Sequence, residues 1–372
     1  MLTIGSVEAF CYRVPLGNPV VTSFGRMMDR PAVFVCIDAQ DGLRGWGEVW
    51  CNFPSVGAEY RARLVNEVLA PLLTGKDLSH PSELWSYITA RTRVLALQCG
   101  ETGPFSQAIA GLDVAAWDLF ARRSREPLWR LLGGISPRIN VYASGINPDR
   151  PEATVERARA SGHCAFKLKI GFDAERDRQN LTALRHLLTG NILLAADANQ
   201  AWTTDEALRL APPLEQFDLA WLEEPLRADV PWQEWERLAG STSIPLAAGE
   251  NISSDASFAA AISSRAISVF QPDVAKWGGI TRCSSVARDV LSAGRRFCPH
   301  YLGGGIGLLA SAHLLAAVGG EGLLEIDINI NPLRDACCGP VDHVHSGQVT
   351  LSEEPGLGNE PDLQALAKYR TL

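Results

Sequence analysis

Several things are scarce in this chain of 372 residues. Basic charge is not in excess: 34 Lys and Arg stand against 42 Asp and Glu, a formal net charge of −8. A phosphate backbone needs a basic face, so no nucleic-acid partner is expected. Long apolar runs are missing too. Leu308–Val318 is among the longest, contains His313 and is too short for a bilayer span, so no membrane partner is expected either. Met1 to Phe10 carries Glu8 and no basic segment ahead of an apolar stretch, the pattern expected where there is no secretory signal. The nine cysteines are odd in number and scattered, which suits a reducing compartment better than a disulfide framework. A cytoplasmic protein is the expectation. No P-loop or dinucleotide Gly motif follows a strand pattern, and no low-complexity segment or long linker interrupts the chain. Cys337-Cys338 with His343 and His345 fits no common zinc spacing.

What is present is a globular composition, 46% hydrophobic and 20% charged. The length exceeds one ordinary core and predicts two domains, or one large barrel with an addition. The first 60 residues read as strands and turns, with Asp41-Gly42 as a hairpin signal. From Ser55 to about Arg125 the apolar spacing is helical, as in Ile109, Leu112, Ala116 and Leu119. Together they predict an α+β unit over 1–128.

After Gly133-Gly134 short apolar runs alternate with helical segments. Eight such runs begin at Asn140, Ala165, Ile192, Ala220, Pro245, Ala266, Arg296 and Leu323. Near-continuous apolar strands alternating with helices mean a parallel sheet covered on both faces. Eight repeats fit a closed (β/α) barrel over 129–328. The segment 329–372 contains a short strand at Gln348–Leu351 and is expected to pack back on the first domain.

Ionisable residues recur where these runs end: Lys167 and Lys169, Asp197, Glu223, Glu250, Asp273, His300, and Glu325 with Asp327. The intervals from Lys169 onward are 28, 26, 27, 23, 27 and 25 residues, one βα unit each. In a barrel the C-terminal strand ends converge on one mouth, so these residues would share a pocket. Any single one reads equally well as a helix cap or a solvated turn; seven successive strand ends do not. Asp197, Glu223 and Glu250 supply three hard oxygen ligands without Cys or His, a set suited to Mg²⁺. Strand alternation puts Lys167 and Lys169 on one side, where a second cation should depress one lysine's pKa and make it a base. Asp273 behind His300 would fix its tautomer and stabilise its protonated form. A metal flanked by two proton-transfer groups suits removal of a proton next to a carboxylate, with the enediolate charge held by cations. Glu325, if protonated, would donate a hydrogen bond to the second carboxylate oxygen.

These residues, with Gly45-Trp46-Gly47-Glu48, Lys167-Leu168-Lys169, Asp197-Ala198-Asn199, Trp221-Leu222-Glu223-Glu224-Pro225, Gly249-Glu250-Asn251, Pro272-Asp273 through Gly278-Gly279, and Pro355-Gly356-Leu357-Gly358, resemble the enolase superfamily, and within it the mandelate racemase subgroup. The resemblance spans essentially the whole chain. It implies an α+β capping domain over a (β/α)7β TIM-type barrel, with Mg²⁺ on Asp197, Glu223 and Glu250. It implies Lys169 as one acid/base with Lys167 on the substrate carboxylate, the His300–Asp273 dyad as the other, and Glu325 as electrophilic acid. Lys276 stands three residues past the position that a second catalytic lysine takes in the muconate lactonizing subgroup, where this chain has Asp273, and reads as structural. Substrate contacts are expected from Phe24, Trp50, Asn52 and Phe53 in the cap, and from Ser144, Asn199 and Tyr301 in the barrel. The loop Tyr301 to Gly307 reads as a tight turn, the alternative being backbone N–H groups that meet a substrate anion.

The implied reaction is dehydration of a sugar acid or other hydroxy acid. The alternative is racemisation or epimerisation of a 2-hydroxy or amino acid, including cyclic, proline-like acids. A non-catalytic binding barrel is the third reading, and the complete set of ligands and proton-transfer groups argues against it. A small carboxylate substrate is the expected partner, and the resemblance implies a homo-oligomer.

Overall fold

The computed structural model describes residues 2–22 and 25–372. Phe24, expected at the substrate, lies outside the described residues. The chain starts with β1 (Leu2–Thr22), β2 (Gly25–Ala39) and β3 (Arg44–Val49), which with the short β4 (Asp77–Leu78) form an antiparallel sheet in the order β3-β2-β1-β4. The start of the helical region expected from Ser55 is broken into Gly57–Arg63, a π segment Leu64–Leu69, and Ala70–Leu73, where Pro71 falls in the first turn. Two long helices follow, α1 (Pro81–Cys99) and α2 (Thr102–Ser124). Phe105, Ile109, Leu112, Ala116 and Leu119 on α2 are buried against the sheet, and Arg125 ends the helix in the left-handed conformation.

The second unit holds eight parallel strands: β5 (Arg138–Ile146), β6 (Ala165–Lys169), β7 (Leu193–Asp197), β8 (Leu222–Glu223), β9 (Leu246–Ala248), β10 (Val269–Phe270), β11 (Arg296–Phe297) and β12 (Leu323–Asp327). All eight predicted runs hold a strand. Between them lie α3 (Pro151–Ala160), α4 (Ala174–Leu187), α5 (Thr204–Leu210), α6 (Trp232–Ala239), α7 (Asp255–Ser264), α8 (Gly279–Ser292) and α9 (Gly305–Val318). This is the (β/α)7β TIM-type barrel with an α+β cap. The ladder runs from β11 through β5 to β12 and, among the described residues, does not close between β11 and β12. That seam is bridged where Leu323 N–H donates to Cys298 Sγ at 3.4 Å.

The final segment touches both units. β13 (Gln348–Thr350) pairs antiparallel with barrel strand β5, whereas Leu357 N–H donates to Asp118 of α2 and Thr371 N–H to the Cys11 carbonyl. Buried acids join cap and barrel directly. Asp113 on α2 accepts from Thr281 N–H at 2.9 Å and Thr281 Oγ1 at 2.6 Å, and burial pushes its carboxyl up to about 7. All nine cysteines are free. No helix among the described residues is long and apolar enough to cross a membrane.

Candidate active site

Strand pleating builds the site in layers. A lower layer of inward side chains comprises Tyr142, Ala165, Ala195, Trp221, Ala247, Val269, Cys298 and Leu323, a closed apolar cluster. Adding two residues to each gives Ser144, Lys167, Asp197, Glu223, Gly249, Gln271, His300 and Glu325. The chemistry-bearing layer is therefore one side-chain period above an apolar floor.

Lys167 is 2% exposed. Its Nζ donates to Glu223 Oε1 at 2.6 Å and lies 2.9 Å from Glu325 Oε1. Burial works against its charge, but Glu223 and Glu325 hold its pKa well above the usual lysine value. The depressed lysine expected from sequence is therefore not Lys167, because carboxylates face it, not a second cation. Lys169 Nζ donates to Asn199 Oδ1 at 2.6 Å and to Asp197 Oδ2 at 3.4 Å. Asn199 N–H and Nδ2 donate back to Asp197 at 2.8 and 3.0 Å. Asn199, Gln200 and Glu224 take positive φ of 43°, 62° and 37°, local strain concentrated at these strand ends.

His300 bridges two acids. Its Nδ1 lies 2.8 Å from Asp273 Oδ2 and its Nε2 2.7 Å from Glu250 Oε2. Burial works against the imidazolium, yet Glu250, Glu325 and Asp273 hold its pKa well above the ordinary histidine value. Burial likewise raises Glu250, and His300 and Lys276 overcome it, holding that carboxyl well below its usual range. Glu325 is also lowered against its burial, by Lys167 and His300, so the protonated acid expected from sequence is not the form favoured here. Burial and the Asp197 charge push Glu223 up to about 7 even beside Lys167.

Asp197, Glu223 and Glu250 come from successive strand ends as expected, but each is turned to a cation of the chain. Among the described residues no group of three or more His, Cys, Asp or Glu converges closely enough to hold a metal as the side chains lie. This covers Cys337 and Cys338 too; Cys338 Sγ donates to Asp342 at 2.7 Å instead.

A cavity of about 270 Å³ opens over this layer. Lys167, Lys169, Asp197, Glu250, His300 and Glu325 line it, as do Trp50, Asn52, Phe53, Ser144 and Asn199. Asn52 reaches across from the cap to donate to the Leu302 carbonyl at 2.6 Å. Glu223 and Asp273 are buried but not on the cavity wall, and Tyr301, expected at the substrate, does not reach it either. Tyr301 is 3% exposed, with its ring beneath α9, where a Cβ on Gly307 would lie 2.3 Å from its hydroxyl. The glycine-rich loop explains this. Gly304 and Gly307 N–H donate to the cap residue Glu48 at 2.5 and 3.0 Å, so the anion they meet is the chain's own. Burial pushes Glu48 up to about 7 despite these bonds.

The sequence assigns no role to four participants. Gln271 Nε2 donates to Glu223 Oε2 at 2.5 Å, and the signal was its place two residues after Val269. Lys276, read as structural, lines the cavity, with Nζ 4.7 Å from the Trp50 ring centre and donating to Asn251 Oδ1 at 2.7 Å. Arg30 and Asp327 line it as an ion pair 297 residues apart in sequence, which no local pattern reveals.

Comparison with known proteins agrees with this architecture. Residues 151–365 match the family model described as enolase C-terminal domain-like, and 5–133 match that of the mandelate racemase/muconate lactonizing enzyme N-terminal domain. Among curated relatives, the D-galactarolactone cycloisomerase of Agrobacterium fabrum is 30% identical, the match covering 99% of each chain. The L-talarate/galactarate dehydratase of Salmonella typhimurium is 32% identical over 93% of this chain and 85% of its own. Among solved structures, a mandelate racemase/muconate lactonizing enzyme from Bordetella bronchiseptica superimposes with a TM-score of 0.94 at 52% identity, covering 99% of each chain. A racemase from Streptomyces coelicolor with bound magnesium gives 0.90 at 30% identity, covering 99% and 100%.

Proposed function

Because the chain belongs to the mandelate racemase/muconate lactonizing enzyme family of the enolase superfamily, we propose that it is a Mg²⁺-dependent lyase that removes the proton next to a carboxylate and expels a β-hydroxyl from a sugar acid. The observation that supports this most is the pair of proton-transfer groups on one cavity. Lys169 stands on β6 and His300 follows β11, strands on different sides of the barrel, with buried carboxylates between them.

The donor set fits a divalent cation. Asp197, Glu223 and Glu250 are all-oxygen donors on successive strand ends, and burial with the neighbouring Asp197 charge raises Glu223 to about 7, a site that a cation would relieve. When bound, such an ion acts as a Lewis acid, stabilising charge on the substrate carboxylate. Lys167 is the group that holds the substrate carboxylate by charge. Lys169 takes the α-proton, and the electron pair moves into the carboxylate to give the enediolate. Both ring nitrogens of His300 face carboxylate oxygens, so each carries a proton. The Nε2 proton goes to the departing β-hydroxyl, which leaves as water as the Cα–Cβ double bond forms, and the enol product becomes a 2-keto-3-deoxy acid. Asp273 keeps Nδ1 protonated and the ring in place.

Racemisation or epimerisation is the second reading, favoured by the two-sided arrangement of the same groups. A substrate without a β-leaving group would be reprotonated by His300 on the opposite face. The setting this supposes is a cytoplasmic homo-oligomer acting on free small acids. The test is solvent exchange of the α-proton in D₂O across a library of sugar acids and 2-hydroxy acids, with and without Mg²⁺. Mg²⁺-dependent exchange with keto-acid formation is expected. Exchange without elimination selects the epimerase, and no exchange with any acid overturns both.

A further inference from the structure

Arg30 and Asp327 line the cavity, and the reaction above uses neither. Asp327 ends β12, next to β5; both strands stand across the barrel from β8 and β9, whose ends carry Glu223 and Glu250. Arg30 comes down from cap strand β2 and is 2% exposed. Its Nη2 donates to Asp327 Oδ2 at 2.5 Å, while its buried Nε has no hydrogen-bond partner among the described residues. The other oxygen of Asp327 accepts from Asn329 Nδ2 at 2.6 Å, and Asn329 Nδ2 also donates to the Gly145 carbonyl at 2.9 Å. Gly145 has φ of 73°, and a Cβ there would lie 2.0 Å from Asp327 Oδ1 and 2.3 Å from Asn329 Nδ2. Glycine is what admits the acid–amide pair to this position.

The Arg30–Asp327 pair is buried, Asn329 is half-buried beside it, and the cluster is internally neutral. A second carboxylate on a substrate would find the Arg30 charge already engaged and Asp327 within hydrogen-bond reach of itself, a like-charge contact. A hydroxyl meets no such opposition, since its oxygen accepts from Arg30 and its hydrogen goes to Asp327. Lys276, a further cation on the wall, lies 4.0 Å from Glu250 and is held by Asn251, so it belongs to the opposite side. We propose that Arg30, Asp327 and Asn329 form a subsite for the hydroxylated end of a sugar acid with a single carboxylate, and that this subsite discriminates against dicarboxylic sugar acids. This rests on the sugar-acid reading above and narrows it. The relatives do not decide the point, since their names include both galactonate and galactarate dehydratases.

The experiment is a thermal-shift titration of the full chain with Mg²⁺, using matched pairs: galactonate against galactarate, and gluconate against glucarate. The wild type should bind the monoacid of a pair about tenfold or more tightly than the diacid. Asp327→Asn keeps the shape and frees the Arg30 charge, so the preference should move toward the diacid by about tenfold or more. Arg30→Met should weaken monoacid binding about tenfold with no gain for the diacid. A wild-type preference for diacids overturns the subsite, as does a preference ratio unmoved in Asp327→Asn. If that variant does not fold, the wild-type preference alone decides. Failure of all four acids to bind at about 10 mM also overturns the subsite. Mg²⁺-dependent α-proton exchange on a short 2-hydroxy acid such as glycerate would then show that the reaction reading survives.

Discussion

In the barrel's lower inner layer, Tyr142 and Trp221 meet edge to face at 5.2 Å, and small side chains such as Ala165, Ala195 and Ala247 fill the space around them. Two residues further along the same strands stand Ser144, Glu223, Lys167 and Asp197, just as buried and almost wholly polar. The strands, their parallel pairing and the pleat are common to both layers. The lower one gains from dispersion and from apolar area removed from water. The upper one offsets the desolvation of its charges by pairing them, and such pairing contributes little net stability. One period of the pleat thus separates residues that hold the barrel together from the polar residues to which the proposed chemistry is assigned.

The contrast is sharpest in variants that remove a reactive group. Lys169→Met and His300→Asn should each lower kcat by about 10³–10⁴-fold, the scale of a lost general acid or base. Thermal melting should fall by several degrees, because buried carboxylates lose their partner, while both variants stay folded at the assay temperature. Turnover and melting are measured on the same preparations. An activity loss that tracks unfolding would erase the distinction between the layers.

The opposite substitution attacks the floor. Trp221 is fully buried, and Trp221→Ala should lose about 3–5 kcal/mol in urea unfolding, the range for deleting a large aromatic from a core. Trp221 Nε1 also donates to Glu223 Oε2 at 3.2 Å, so Trp221→Phe separates the two contributions. That variant keeps most of the stability and lowers turnover modestly. If Trp221→Ala were nearly neutral, the floor would not be what supports the reactive layer.

The pleat also explains which parts of the site were legible beforehand. Asp197, Glu223, Glu250, Asp273, His300 and Glu325 recur at one βα unit each, and barrel closure turns that spacing into convergence. Gln271 obeys the same rule but carries no charge, so its place at a strand end suggested no role. Arg30 and Glu48 reach their barrel partners only through the docking of the cap, and the sequence holds no periodic trace of that docking. Tyr301 failed for a related reason. It adjoins His300, but consecutive side chains leave the backbone in different directions, and the glycines beyond it leave room for its ring under α9. The state of the acids was not legible either. It depends on which carboxylate turns to Lys167 and which to His300.

A buried ionisable group with no part in the chemistry gives the smallest effect and the cleanest control. His313 on α9 is fully buried, accepts from Trp129 N–H at Nδ1 at 3.0 Å, and faces the Leu357 carbonyl with Nε2 at 3.3 Å. It ties the barrel to the chain entering it and to the C-terminal segment as a neutral ring. Burial lowers its pKa to about 4. The unfolded chain therefore binds a proton that the folded chain refuses, and the stability present above about pH 6.5 is lost as pH falls toward 4. At pH 5 the loss from this residue is about 2 kcal/mol. Comparing urea unfolding of wild type and His313→Gln at pH 7.5 and pH 5 isolates it. The stability gap between the two proteins should narrow on acidification by that amount. A constant gap would mean that the ring is protonated in the fold, so that Nδ1 could not accept from Trp129. Burial alone would then not decide the charge of a histidine in this barrel, whereas at His300 neighbouring carboxylates override burial and raise its pKa.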